Sequence, residues 1–90
     1  MIKTIYDEAL EAFGQERQVR KFCEELAELQ EAVLKTLEQK DIPSHAAEEM
    51  ADVEIMMAQM RRLLGISDLE FTQWQFKKLN ALRERIGEAR

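Results

Sequence analysis

The 90-residue chain has little cysteine, histidine, proline and glycine, and these shortages narrow what it can be. Cys23 is the only cysteine, so an intrachain disulfide is excluded and a reducing compartment is expected. His45 is the only histidine, and it does not follow a glutamate by three residues, as the Glu-x-x-His pattern of di-iron helical bundles requires. Di-iron chemistry is therefore disfavoured.

Long apolar runs are also missing. No segment reaches the length of a transmembrane helix, and the first thirteen residues carry Asp7, Glu8 and Glu11 instead of the apolar stretch of a signal peptide. The net charge of −5 argues against non-specific binding to nucleic acid or to an anionic membrane. We therefore expect a cytoplasmic protein that binds neither nucleic acid nor membrane.

The apolar residues that are present recur at helical spacing, and no alternating strand pattern is found. No linker-like or repetitive segment interrupts the chain, so we expect a single all-α domain over residues 1–90. Gly14 and Gly65 are the expected helix stops, Ser44 is the expected N-cap of the third helix, and Ser67 or Asp68 that of the fourth. The first two predicted helices cover residues 4–13 and 16–37. The third follows Ser44 and runs to residue 64, and the fourth follows residue 67 or 68.

The second predicted helix is apolar over a wide arc. Its main stripe consists of Val19, Phe22, Leu26, Leu29, Val33 and Leu37. Cys23, Ala27 and Leu34 extend the arc, and a helix of that width usually packs against neighbours on two sides. Because the chain is short, we expect one neighbour to be another subunit and predict a homodimer or homotetramer.

Two acidic pairs stand at helical spacing: Glu25 with Glu28, and Glu49 with Asp52. Residues three apart project from the same side of a helix, so each pair can hold one cation. Glu49 falls within an apolar arc of the third helix, where a bare carboxylate is costly unless a cation or donor compensates it. If the two helices face each other, four carboxylates converge, and such hard oxygen ligands suit Mg²⁺ or Mn²⁺.

Simpler interpretations stay open at this point. Acidic residues three apart are common on solvated helices, so the glutamates of the second helix can be surface residues. Glu49 can instead pair with Arg61, Arg62 or a cation of the fourth helix.

The stretch Glu24-Glu25-Leu26-Ala27-Glu28, followed after twenty residues by Glu49-Met50-Ala51-Asp52, resembles the EExxE…ExxD signature of MazG-like nucleotide pyrophosphohydrolases. Residues 48–56 are particularly similar to short MazG-like proteins of phage and bacterial origin. The resemblance spans residues 13–86 and implies a four-helix, oligomeric MazG-like bundle.

The resemblance also implies Mg²⁺-dependent hydrolysis of a nucleoside triphosphate to its monophosphate and pyrophosphate, which clears or adjusts a nucleotide pool. By position, Glu25, Glu28, Glu49 and Asp52 would be the metal ligands. Glu24 and Glu25 would be the catalytic acids, with Glu24 a flanking acid that orients the attacking water or a further ion.

The resemblance extends to substrate contacts. Lys78 and Arg85 are similar to the family's C-terminal basic pair, on a fourth helix that would close over the phosphates from the same or a neighbouring subunit. Gln18 would touch the substrate. Basic residues near a helix C-terminus also favour the helix dipole, and Gln18 can be a solvated glutamine. The competing function is a non-catalytic helical interaction or nucleotide-binding module that uses the same acidic face.

Overall fold

The computed structural model describes residues 3–90, which form four α-helices and no strand. The all-α prediction is confirmed. The helices are α1 (Ile5–Phe13), α2 (Gln15–Leu37), α3 (Pro43–Leu64) and α4 (Asp68–Ala89). None of these helices combines the length and apolar character needed to cross a bilayer.

Most helix ends lie where the sequence predicts them, because capping residues close to each end determine them. The Thr4 hydroxyl accepts a hydrogen bond from the Asp7 N–H while the Asp7 carboxylate accepts one from the Thr4 N–H, a capping box that starts α1. Gly14 separates α1 from α2 at φ 90° and Gly65 ends α3 at φ 70°, conformations that glycine adopts without strain. The Ser67 hydroxyl accepts a hydrogen bond from the Glu70 N–H, which confirms Ser67 as the N-cap of α4.

The predicted start of α3 is wrong. Ile42 occupies the N-cap position without a side-chain hydrogen bond, and Pro43 rather than Ser44 begins the helix. Proline suits the first helical position because its φ is already near the helical value and it has no N–H to leave unpaired.

The packed unit consists of the α2–α3 pair with α1 against both helices. The residues of α2 that face α3 are spaced alternately four and three positions apart: Gln18, Phe22, Glu25, Leu29, Ala32 and Thr36. The buried residues of α3 are Ala46, Val53, Met56, Gln59 and Met60. The seam therefore contains three buried polar side chains, Gln18, Glu25 and Gln59, among small and apolar ones.

This seam differs from the predicted apolar stripe. Phe22 and Leu29 are half-buried as expected, but Val19, Leu26 and Val33 remain exposed. The reason is that Gln18 and Glu25 occupy the positions that face α3, which turns the other apolar line of α2 outward.

The fourth helix stands away from this unit. Within residues 3–90, no Cα atom of α4 lies within 8 Å of a Cα atom in another helix. The radius of gyration is 16.3 Å, compared with about 12 Å for a compact chain of this length. Arg61 lies over the Phe71 ring, 4.2 Å from its centroid, and so holds the first turn of α4 beside α3. The predicted four-helix bundle and the predicted oligomer therefore stay predictions.

Candidate metal centre

Three carboxylates converge where α2 faces α3. Glu25, Glu49 and Asp52 each offer one oxygen, and these three oxygens lie within 4.8 Å of one another. Glu25 reaches the site because it lies on the buried seam of α2. Glu49 and Asp52 reach it because residues three apart on α3 project from the same side.

Two carboxylate oxygens of this cluster are buried without a partner. Glu25 is 8% exposed; its Oε1 atom accepts a hydrogen bond from Lys21 Nζ at 3.2 Å, but its Oε2 atom has none. The Oε2 atom of Glu49 is also buried and unpaired. Since an unpaired buried carboxylate oxygen is costly, the arrangement fits a cation bound between the two helices.

The alternative salt bridges for Glu49 do not form. In the described part of the chain no lysine, arginine or histidine nitrogen lies within 4.0 Å of its carboxylate. Arg61 lies over the Phe71 ring instead. Glu49 thus has no cationic side chain beside it among the described residues.

The electrostatics of the cluster agree with its crowding. Burial raises the pKa of Glu49, and the charges of Glu28 and Glu25 raise that pKa further. At the edge of the cluster, the hydrogen bond and charge of Glu25 raise the pKa of Lys21. A divalent cation would relieve the repulsion among these carboxylates.

Glu28, the fourth predicted ligand, lies at the rim. Its side chain is exposed and lines an open groove of about 300 Å³ together with Glu49. Glu24 is exposed and lies outside the three-carboxylate cluster. The structure therefore brings three of the four predicted ligands together and leaves Glu28 beside them.

The far wall of the groove contains residues that the sequence analysis did not assign to the site. His45 Nδ1 lies 2.5 Å from Asp41 Oδ1, and Lys35 Nζ lies 2.8 Å from Glu31 Oε1. A hydrogen bond from the Ile42 N–H, with a smaller contribution from His45, lowers the pKa of Asp41. Both pairs have the i, i+4 spacing that could have indicated them.

Gln18, predicted to touch the substrate, lies in the α2–α3 seam. It is 3% exposed, and its Nε2 atom donates a hydrogen bond to Gln59 Oε1 at 2.7 Å. The Gln59 amide also donates to the sulfur of Met56 at 3.5 Å. The burial of Gln59 was not predicted from the sequence, although a single amide between the apolar residues Met56 and Met60 could have indicated it.

Lys78 and Arg85 lie on α4 and are exposed. Because α4 diverges from the packed unit, the structure does not bring these two residues to the carboxylates of the same protomer.

Comparison of the chain with protein-family models, with curated proteins and with solved structures gives no match. The interpretation of the site therefore depends on its own geometry and chemistry.

Proposed function

We propose that this protein is a Mg²⁺-dependent nucleoside triphosphate pyrophosphohydrolase of the MazG-like type, acting in the cytoplasm on the nucleotide pool. The observation that carries the proposal is the convergence of Glu25, Glu49 and Asp52, with two buried oxygens left unpaired. Three hard oxygen donors without a thiol or imidazole suit Mg²⁺, with Mn²⁺ as the next candidate.

In this proposal Glu25, Glu49 and Asp52 hold the metal from inside the seam, and Glu28 completes the ligand set from the rim. A bound Mg²⁺ supplies charge neutralisation for phosphate oxygens and lowers the pKa of bound water. Lys21 donates a hydrogen bond to one oxygen of Glu25, and the other oxygen has no partner and is available to the proposed metal. Glu24 and Glu25 are the proposed acids that orient the attacking water.

The groove beside the cluster is the proposed triphosphate site. Its volume of about 300 Å³ is at the small end for ligand pockets, so we propose that it takes the phosphates while the base lies outside. Lys35 and His45 are the basic side chains among its lining residues. Lys78 and Arg85 are proposed to act from a neighbouring subunit of a homodimer or homotetramer, because α4 diverges from the site of its own protomer.

The test is pyrophosphate release from a panel of nucleoside triphosphates in the presence of Mg²⁺. We expect Glu49→Gln and Asp52→Asn each to lower the rate by more than about 100-fold, because each removes a charged ligand while keeping the side-chain shape. Far-UV circular dichroism should show unchanged helical content. The matched control is Glu54→Gln, an exposed carboxylate of α3 outside the cluster, which should keep its activity.

Full activity in both the Glu49 and the Asp52 variants would refute the metal-site assignment. Binding of Mg²⁺ without pyrophosphate release from any nucleotide would instead favour a non-catalytic nucleotide-binding or interaction module on the same acidic face.

A further inference from the structure

A second cavity, separate from the groove, lies between α1 and α3. Its volume is about 520 Å³, and its walls include Tyr6, Ala9 and Phe13 of α1 and Ile55 and Gln59 of α3. None of these residues belongs to the metal cluster or lines the groove. A largely apolar pocket of this size, with aromatic side chains and few polar groups, is typical of a small-molecule site.

Gln59 brings a buried amide to the wall of this pocket. It is 4% exposed; its Oε1 atom accepts the hydrogen bond from Gln18, and its Nε2 atom donates to the sulfur of Met56 at 3.5 Å. A side-chain amide nitrogen has two N–H groups, and a thioether sulfur is a weak acceptor. Within residues 3–90 the Nε2 atom has no second acceptor, so the Gln59 amide can still donate a hydrogen bond to a ligand.

The groove, the metal cluster and the pocket lie in one row along α3. Their residues on this helix are spaced alternately three and four positions apart, which places them on one side of it: His45 and Glu48 of the groove, Asp52 of the cluster, and Ile55 and Gln59 of the pocket. From Asp52 to Gln59 the helix rises by about 10 Å. That distance is comparable with the length of a nucleoside.

Groups that bind phosphate are present at one end of the row only. Lys35 and His45 line the groove, and the proposed metal lies beside it. Among the described residues that line the pocket none is basic, and Glu8 is acidic and exposed. Electrostatic complementarity therefore directs the phosphates of a nucleotide to the groove and leaves the uncharged base for the pocket.

We propose that the pocket between α1 and α3 binds the base of the nucleoside triphosphate and that Gln59 donates a hydrogen bond to an acceptor on that base. The inference rests on the proposed function and extends it. With the base in the pocket and the β- and γ-phosphates in the groove, the α-phosphate lies at the metal cluster. This order places the bond between the α- and β-phosphates beside the metal, where release of pyrophosphate requires it.

The test is isothermal titration calorimetry in the presence of Mg²⁺, which needs no turnover. The probes are non-hydrolysable α,β-methylene triphosphates of the common bases, and inorganic tripolyphosphate serves as the probe without a base. Ala9→Phe places a ring in the pocket and should weaken binding of the nucleotide analogue by about tenfold or more, because the base loses its contacts there. Binding of tripolyphosphate should be unchanged.

The matched control is the same substitution at Ala27, an exposed residue of α2 outside both the pocket and the groove. Ala27→Phe should leave the affinities for both probes unchanged. If circular dichroism shows that Ala9→Phe has lost helical content, Ala12→Phe decides in its place, because Ala12 lines the pocket from an exposed position.

Three results would overturn the base pocket: no binding of any analogue to the wild type, unchanged binding of the analogue in the helical pocket variant, or an equal loss for tripolyphosphate. The reaction itself is tested separately. A wild-type protein that binds the analogue through this pocket but releases no pyrophosphate supports the pocket and contradicts the proposed activity. A protein that hydrolyses nucleotides with the same KM in wild type and Ala9→Phe keeps the proposed activity and overturns the pocket.

Discussion

Binding of Mg²⁺ should stabilise the wild-type protein and not the Glu49→Gln variant. Without metal, Glu49 contributes an unpaired carboxylate oxygen to the seam, and its raised pKa reflects the cost of keeping it ionised there. The amide of Gln carries no charge, so the metal-free variant should be more stable than the wild type at neutral pH.

The size of the Mg²⁺ effect follows from linkage. At a free concentration of about ten times Kd, a ligand that binds only the native state adds about 1.4 kcal/mol to the free energy of unfolding. For a chain of about 90 residues this corresponds to a rise of about 6–11 °C in Tm. The variant retains two of the three clustered carboxylates, and we expect its Tm to rise by less than about 2 °C.

The assay is thermal unfolding followed by circular dichroism, with and without Mg²⁺, at matched ionic strength and equal protein concentration. Without metal the variant should have the higher Tm, because it lacks the unpaired charge. With Mg²⁺ the wild type should have the higher Tm, because it binds the ion, so the order of the two Tm values should reverse. Glu54→Gln serves as the isosteric control and should respond as the wild type does. An equal Mg²⁺ response in wild type and Glu49→Gln, or none in either, would refute the reasoning.

Three further predictions concern the seam and the helix ends. Gln59→Leu should lower the free energy of unfolding, measured in urea, by about 1–3 kcal/mol, because it leaves the buried Gln18 amide unpaired. The double replacement Gln18→Leu/Gln59→Leu should lower it by less. Equal losses in the two variants would contradict a hydrogen bond between the two amides. In the metal-free protein the folded state binds the Glu49 proton more tightly than the unfolded state does, because the pKa of Glu49 is raised on folding. The contribution of Glu49 to the free energy of unfolding should therefore fall as the pH rises from about 4.5 through the raised pKa. Between about pH 4 and 7 the difference in stability between wild type and Glu49→Gln should widen in favour of the variant. Gly14→Ala should lower the free energy of unfolding by about 1–2 kcal/mol, because alanine is strained at the φ of 90° found there. An added Cβ has no neighbouring atom within 4 Å, so a steric clash would not explain the loss. An unchanged urea midpoint would contradict this backbone strain.

Helix existence and most helix ends could be predicted because their causes are local. Gly14, Gly65 and Ser67 act on the backbone within one turn of themselves, and the structure confirms all three. Ser44 failed because Pro43, one residue earlier, satisfies the first helical position better.

The orientation of α2 could not be predicted from apolar residues alone. Its seam is set by Gln18 and Glu25, whose burial depends on groups of another helix: the Gln59 amide in one case and the convergent carboxylates in the other. Glu49 was identifiable because it interrupts an apolar arc, a signal that needs no knowledge of the partner helix.

The position of α4 could not be predicted from its own residues. Phe71, Leu79, Leu82 and Ile86 lie on one side of α4, but their spacing does not specify what they pack against. In the structure Phe71 lies beneath Arg61 of α3, but no Cα atom of α4 lies within 8 Å of a Cα atom in another described helix. For that reason Lys78 and Arg85 do not reach the carboxylates of the same protomer.

The most direct measurement is phosphorus NMR of a nucleoside triphosphate incubated with the wild-type protein and Mg²⁺. A MazG-like pyrophosphohydrolase should convert the three triphosphate signals into those of a nucleoside monophosphate and pyrophosphate, and Glu49→Gln should leave the triphosphate intact. Appearance of nucleoside diphosphate with orthophosphate, or an unchanged triphosphate for every nucleotide tried, would contradict the proposed reaction.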